Sequence, residues 1–112
     1  LTVAEALREA SRQSPRRPGA LLLVDADGAL SGIFTDGDLR RLVLADPVEL
    51  DRPIALRMTR SPRTLRDDAL LRDAVALIRE HRQDEIPVVD AAGRPVGLLD
   101  VQDLVAMRLV RD

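Results

Sequence analysis

The chain has 112 residues, 46% hydrophobic and 32% charged, with a formal net charge of −2, enough for one compact domain or two small modules sharing a core. That balance supplies no global field for nucleic acid or an anionic membrane, and Phe34, the sole aromatic residue, excludes a base-stacking platform for single strands. With no Cys and only His81, there is no disulfide framework and no thiolate or multi-histidine metal site. No apolar run approaches the roughly 20 residues of a membrane helix, and no signal peptide is visible. A cytoplasmic setting is expected. A chain that opens on Leu1 rather than Met is expected to be a piece of something longer. All 17 basic residues are Arg, so no lysine chemistry is available.

Val3, Ala6, Leu7 and Ala10 form the stripe of an amphipathic helix over 1–10, with Thr2 as cap and Glu5 three residues on. Ser11 to Gly19 reads as a loop. Ala20 to Val24 is a short apolar run, a buried strand. Asp25-Ala26-Asp27-Gly28 is turn chemistry, and Leu30 to Phe34 returns as the partner strand. Thr35 and Asp38 then have the capping-box spacing at the start of a helix reaching about Ala45, with Leu39, Leu42 and Val43 inward. Such a strand running into a helix N-terminus is a natural anion site. Residues 46–57 (DPVELDRPIALR) have no period and read as a linker between a first module, 1–45, and a second, 58–112. Met58 to Leu65 suggests an extended segment. Ala69 to Arg82 is the clearest helix, with Leu71, Ala74, Val75, Leu77 and Ile78 on one face. Glu85 to Val89 is a strand that Pro87 marks as an edge or an opened ladder. Asp90-Ala91-Ala92-Gly93 is another turn, Val96 to Leu99 a strand, and a last helix starts near Asp100.

The chain repeats. Adding 65 takes Val24 to Val89, Asp25 to Asp90, Gly28 to Gly93, Gly32 to Gly97, Ile33 to Leu98, Asp38 to Asp103 and Leu39 to Leu104. The helices need 68, which takes Ala6-Leu7 to Ala74-Val75. Each copy is helix, strand, turn, strand, helix, and the first lacks room for a leading strand. Neither half is expected to close a core alone. An α+β arrangement follows, with the copies face to face about a pseudo-twofold axis and clefts where the strand–helix junctions meet.

Doubled in this order, the pattern "apolar strand, V-D, x-x-G, x-x-G-φ-φ-[ST]-x-x-D-L" resembles a tandem pair of cystathionine-β-synthase (CBS) domains, a Bateman module. With GIFTDGDLRR, MTRSP, IPVVD and VGLLDVQDL, the chain is similar to the CBS pair that follows the sugar isomerase domain of arabinose-5-phosphate isomerases. That catalytic domain is absent here, so the resemblance implies a non-catalytic regulatory module with no catalytic residue, no metal site and no required cofactor. It implies binding of an adenine nucleotide, or of a cytidine sugar nucleotide as feedback ligand, on behalf of an isomerase in lipopolysaccharide-precursor (Kdo) synthesis. It also implies a homodimer.

By the same resemblance, Asp38 and Asp103 meet ribose hydroxyls, a role that suits an acceptor-only carboxylate. Thr35 lies near phosphate, and Asp36 beside it is a further ligand-binding candidate. Leu22 and Leu23 in one copy, and Thr64, Ile86, Pro87 and Val88 in the other, border the base. The second copy has Asp100 where the first has Thr35, and a fixed anion there repels phosphate. Two unequal sites are therefore expected, the Thr35/Asp38 site being the more phosphate-tolerant.

Plainer readings stand beside these. Thr35 and Asp38 suffice as a helix cap, and Asp103 as a first-turn acid. Gly28 and Gly93 are turn glycines. Arg16, Arg17, Arg40 and Arg41 are solvated charges, and His81 has no nucleophile beside it. A ligand-free dimerisation module is the alternative function. The run LLLVDADGAL also looks like the D-x-D-G loop of haloacid-dehalogenase-type phosphatases. Ala29 in place of Thr, the lack of Lys, and Asp27 mapping onto Ala92 argue for turn chemistry instead.

Overall fold

A computed structural model describes residues 1–13 and 19–102. In chain order these form α1 (Val3–Gln13), β1 (Ala20–Val24), β2 (Leu30–Thr35), α2 (Asp36–Ala45), β3 (Thr59–Arg60), β4 (Leu65–Arg66), α3 (Leu71–His81), β5 (Glu85–Val89) and β6 (Pro95–Asp100). Two 3₁₀ turns, Pro47–Asp51 and Ile54–Leu56, lie between α2 and β3.

The hydrogen bonds repeat with the offset of the sequence. The Asp25 N–H donates to the Ala29 carbonyl at 2.9 Å, and the Asp90 N–H to that of Arg94 at 3.0 Å. Asp25 Oδ1 accepts from the N–H groups of Asp27 and Ala29, as Asp90 Oδ1 does from those of Ala92 and Arg94. The same bonds hold the Asp90 carboxyl below its ordinary range, the backbone N–H of Arg94 contributing most. Each turn closes on a glycine at positive φ, 83° at Gly28 and 80° at Gly93, where a side chain is strained. The hairpin registers also correspond, with Ala20 opposite Thr35 and Glu85 opposite Asp100 and a bulge one residue before the end of β1 and of β5. The D-x-D-G run is therefore a hairpin turn.

The caps differ between copies. At α1 the Thr2 N–H donates to Glu5 Oε1 and the Glu5 N–H to Thr2 Oγ1, at 2.9 and 3.1 Å, a complete capping box. At α3 Leu70 has no hydroxyl to offer, and only the Leu70 N–H to Asp73 Oδ2 bond remains, at 3.0 Å.

Among the described residues the strands make two three-stranded sheets, ordered β1-β2-β3 and β4-β5-β6. Residues 59–66 serve both. β3 runs antiparallel to β2, and β4 parallel to β5. The first sheet thus gains its third strand from the segment leading into the second copy, on the β2 side. Pro87 lies in the central strand of its sheet. Among the described residues the buried side chains gather in two clusters, and the first half, 1–45, does not close its cluster alone. Val3, Ala6, Phe34 and Ile54 are buried in the first, with Leu50 and Met58 packed on them. Residues 46–58 therefore do the closing, although their sequence reads as a linker. Ala74, Ile78 and Ile86 centre the second, with Leu65, Val75, Leu77 and Leu99 around them. Val43 and Leu71, expected to face inward, are 39% and 45% exposed.

The copies meet at the turns, where the Leu30 N–H donates to the Gly93 carbonyl at 2.9 Å. The twofold-related bond would need an N–H at position 95, and Pro95 has none. Among the described residues no helix is long and apolar enough to cross a membrane.

Candidate functional site

The Thr35 junction has the predicted cap. Thr35 Oγ1 accepts from the Asp38 N–H at 3.1 Å, and the Thr35 N–H donates to Asp38 Oδ2 at 2.9 Å. Asp38 Oδ1 accepts from Arg41 Nη2 at 2.5 Å. The Asp36 N–H donates to the Gly19 carbonyl at 3.0 Å, and its twin, the Val101 N–H, to the Asp84 carbonyl at 2.7 Å. Two first-turn N–H groups of α2 are thus committed within the protein, so the junction offers an anion less than its sequence suggests. Each Asp38 oxygen still has a second lone pair. Arg41 is largely exposed, and an ion pair of that kind is weak enough to yield to a ligand.

An open cleft of about 640 Å³, lined by Gly19, Asp36, Leu39, Arg40, Val43, Leu44 and Asp100, lies beside this junction. That is within the size range of small-ligand pockets. It brings together the start of β1, the exposed face of α2 and the end of β6. Asp36 of the first copy and Asp100 of the second share this cleft, where the sequence suggests separate sites.

Glu85 completes an acidic rim. A Cβ built on Gly19 would lie 3.1 Å from Glu85 Oε1 and 3.5 Å from Asp100 Oδ2, so first-copy backbone lies against second-copy carboxylates. Glu85 and Asp100 are direct cross-strand partners. Burial pushes the Glu85 carboxyl above its ordinary value, helped by the charges of Asp100, Asp84, Asp36 and Asp38. For an acid raised in the folded state, the native protein binds the proton more tightly. Its ionisation therefore costs stability as pH rises from the ordinary value of 4.5 through the folded one. Glu85→Gln should stabilise the protein at pH 7 by up to about 1 kcal/mol, the scale of a cross-strand charge pair. The gain should shrink as the pH approaches 4.5. Thermal melts from pH 4.5 to 8 check this, and a variant no more stable than wild type at pH 7 would refute it.

The base-side residues are spread along two strands. Leu23 packs on the first core, so only Leu22 of that pair is turned away from it. Thr64 is exposed, just ahead of β4. The Ile86 and Pro87 side chains are fully buried, which leaves their backbone as the part a ligand can reach. Val88 lines a recess of about 250 Å³ with Leu65 and Leu99. Asp103, Arg16 and Arg17 lie outside the described residues. Sequence reasoning passed over Gly19 and Glu85, and it treated Arg40 as plain surface. The signal for Glu85 was available: the offset sets Glu85 and Asp100 where the first copy has Ala20 and Thr35.

The sequence profile of the CBS domain matches residues 1–45 and 52–109. The arabinose 5-phosphate isomerase KpsF of Escherichia coli is 35% identical over 85 residues, covering 76% of this chain and 26% of that protein. KdsD of Pseudomonas aeruginosa, another arabinose 5-phosphate isomerase, is 39% identical over 93 residues, covering 77% and 26%. The inosine-5'-monophosphate dehydrogenase of Mycobacterium tuberculosis is 37% identical over 90 residues, covering 80% and 16%. The chain thus spans about a quarter or less of the length of these relatives. Among solved structures, CBSX2 in complex with AMP superposes with a TM-score of 0.75 at 29% identity, covering 96% of this chain and 82% of that one. The cytosolic domain of the Mg²⁺ channel MgtE in complex with ATP gives 0.78 at 29%, covering 96% and 42%. A CBS-domain containing protein from Agrobacterium tumefaciens gives 0.77 at 25%, covering 96% and 82%. Two profile matches on two copies of one helix–hairpin unit, linked through the crossover of residues 59–66, place this chain in the CBS domain family as a tandem pair; the last helix expected from the sequence lies almost wholly outside the described residues.

Proposed function

We propose that this CBS pair is a non-catalytic regulatory module that binds an adenine nucleotide in the cleft beside Thr35 and Asp38. The observation that carries this reading is the junction itself. A capped helix start with a half-buried carboxylate adjoins an open cleft of ligand size, and it does so where the two copies meet. Two similar structures, described as complexes with AMP and with ATP, support the ligand class. Asp38 would accept from the ribose diol, displacing Arg41. Thr35 and Arg40 would border the phosphate, and the backbone of β1 and of Ile86 and Pro87 would border the base. Asp36, Asp100 and Glu85 set a limit on charge, so AMP should bind more tightly than ATP unless a cation accompanies the triphosphate.

In the full-length protein the module would report nucleotide occupancy to a sugar-phosphate isomerase domain. The similarity to KpsF and KdsD supports that partner, and with it a cytoplasmic place in lipopolysaccharide-precursor synthesis. A cytidine sugar nucleotide is the second ligand to try.

The acidic rim favours one other reading, a module that binds nothing and associates with its own copy through the exposed Val43 and Leu44 of α2. A thermal-shift panel of AMP, ADP, ATP, S-adenosylmethionine and cytidine sugar nucleotides separates the two. A ligand at 100 times its dissociation constant should add about 2.7 kcal/mol to wild type. Asp38→Ala should abolish the shift. Asp38→Asn, which keeps a cap acceptor, should reduce it without the loss of helix stability. No shift with any nucleotide would leave the ligand-free reading.

A further inference from the structure

The crossover between the sheets, residues 61–64, is held against β5 by a side chain where a backbone ladder would be expected. β4 runs parallel to β5 with Leu65 opposite Val88 and Arg66 opposite Val89, and the Asp67 N–H donates to the Val89 carbonyl at 2.9 Å. In a parallel ladder, alternate residues of one strand bond to the neighbours of their partner on the other. Stepping this register back by two residues brings the Arg63 carbonyl to the N–H of residue 87. That residue is Pro87, which has no N–H, so the ladder opens there.

Gln83 supplies the missing donor. α3 ends at Arg82 in the left-handed conformation, φ 50°, which turns the chain sharply. Gln83 follows directly, half-buried, and its Nε2 donates to the Arg63 carbonyl at 2.8 Å and to the Glu85 carbonyl at 3.1 Å. Both amide hydrogens are thereby used. Upstream, the crossover leaves β3 through Ser61 at φ 48°, whose N–H donates to the Ser31 carbonyl at 3.3 Å.

We propose that Gln83 is a positioning residue: its carboxamide latches the Pro62–Thr64 crossover to the start of β5 and so fixes the spacing of the backbone that borders the base. The latch deepens the nucleotide reading above and rests on it for its consequence in binding. Gln83 need not touch the nucleotide. It acts on Thr64 and on the β5 edge.

Amide hydrogen exchange and AMP calorimetry on the 112-residue chain test this together. Gln83→Ala should lose protection at Leu65 and Asp67 but keep it at Leu99 on the far strand, and its AMP affinity should fall about tenfold. Gln83→Glu, which turns carboxylate oxygens toward two carbonyl oxygens, should fall further. Adding Pro87→Ala to Gln83→Ala restores an N–H at position 87. The double variant should regain protection at Leu65, and the new amide should itself be protected. That rescue is not expected of a residue that merely fills space. Unchanged exchange in Gln83→Ala would overturn the latch, and lost protection with unchanged AMP affinity would overturn its part in the pocket. If wild type takes up neither AMP nor ATP, the nucleotide reading falls separately, and the exchange pattern with its rescue still decides the latch.

Discussion

Phe34→Ala should lower the unfolding free energy by about 3–5 kcal/mol, through lost apolar burial and the cavity left behind. Phe34 is 2% exposed and packs with Val3, Ala6 and Ile54, with Leu7, Leu21, Leu39, Leu42, Leu50 and Met58 around them. No other aromatic residue can move in to fill the space. The two cores use size differently at equivalent places. Leu21 is opposite Phe34 in the first hairpin, and Ile86 is opposite Leu99 in the second. The first core thus concentrates its volume on β2, next to the cap. A chain of this size has roughly 5–15 kcal/mol in all, so the variant should be marginal at 25 °C. Phe34→Leu, which leaves a smaller void, should cost nearer 1–1.5 kcal/mol. Urea unfolding of both variants checks the difference. A loss below about 1 kcal/mol for Phe34→Ala would show that the first core can collapse around the gap. Phe34 also immediately precedes the Thr35 cap, so if AMP binds there as proposed, its affinity should weaken in Phe34→Ala even where the protein remains folded.

The repeat was legible because it lives in residues whose local chemistry is strong. Asp25 with Gly28, and Asp90 with Gly93, specify the same turn without help from the fold. Thr35 and Asp38 likewise specify their cap, and the apolar runs set β1 and β5 to the residue. What stayed hidden depends on contacts between distant segments. A strand of two residues such as Thr59–Arg60 has no period to read. Ile54 is one apolar residue in a proline-rich stretch, and its burial is evident only once α1 and β2 are set beside it. The charge pair of Glu85 and Asp100 exists only in the folded register, ten residues and more of sequence having closed into a hairpin between them. At the candidate site, the carboxylate of Asp38 could be named from spacing alone. Its pairing with Arg41 is an i, i+3 contact on α2 that helical spacing also allows, whereas the Asp36 bond to Gly19 that removes a free N–H follows from tertiary placement. Pro87 pointed to an opened ladder, and Gln83 gave no sign that it would fill the opening.

Gly32→Ala should cost about 1–3 kcal/mol, as overpacking rather than as a cavity. A Cβ there would lie 2.4 Å from Met58 Sδ, 2.8 Å from Met58 Cγ and 2.9 Å from the Thr59 carbonyl oxygen. The methionine side chain can swing aside, but it packs on the first core, and moving it uncovers that core. The carbonyl belongs to β3 and cannot withdraw without breaking the pairing of Gly32 with Arg60 and Ile33 with Thr59. Gly97 is the twin position, and it provides the control. Among the described residues a Cβ there meets only Val88 Cβ, at an ordinary 3.9 Å, so Gly97→Ala should stay within about 0.5 kcal/mol of wild type. The difference arises because β3 covers Gly32, while among the described residues no strand pairs with the outer side of β6. The consequence reaches the proposed ligand site, because β3 is the near anchor of the crossover that carries Thr64. Gly32→Ala should loosen residues 59–64 from the first sheet and weaken AMP binding, with the second hairpin left intact. Exchange protection lost at Ser61 but retained at Leu99 would show this directly. Equal losses in Gly32→Ala and Gly97→Ala would mean that close packing of β3 is not what position 32 requires.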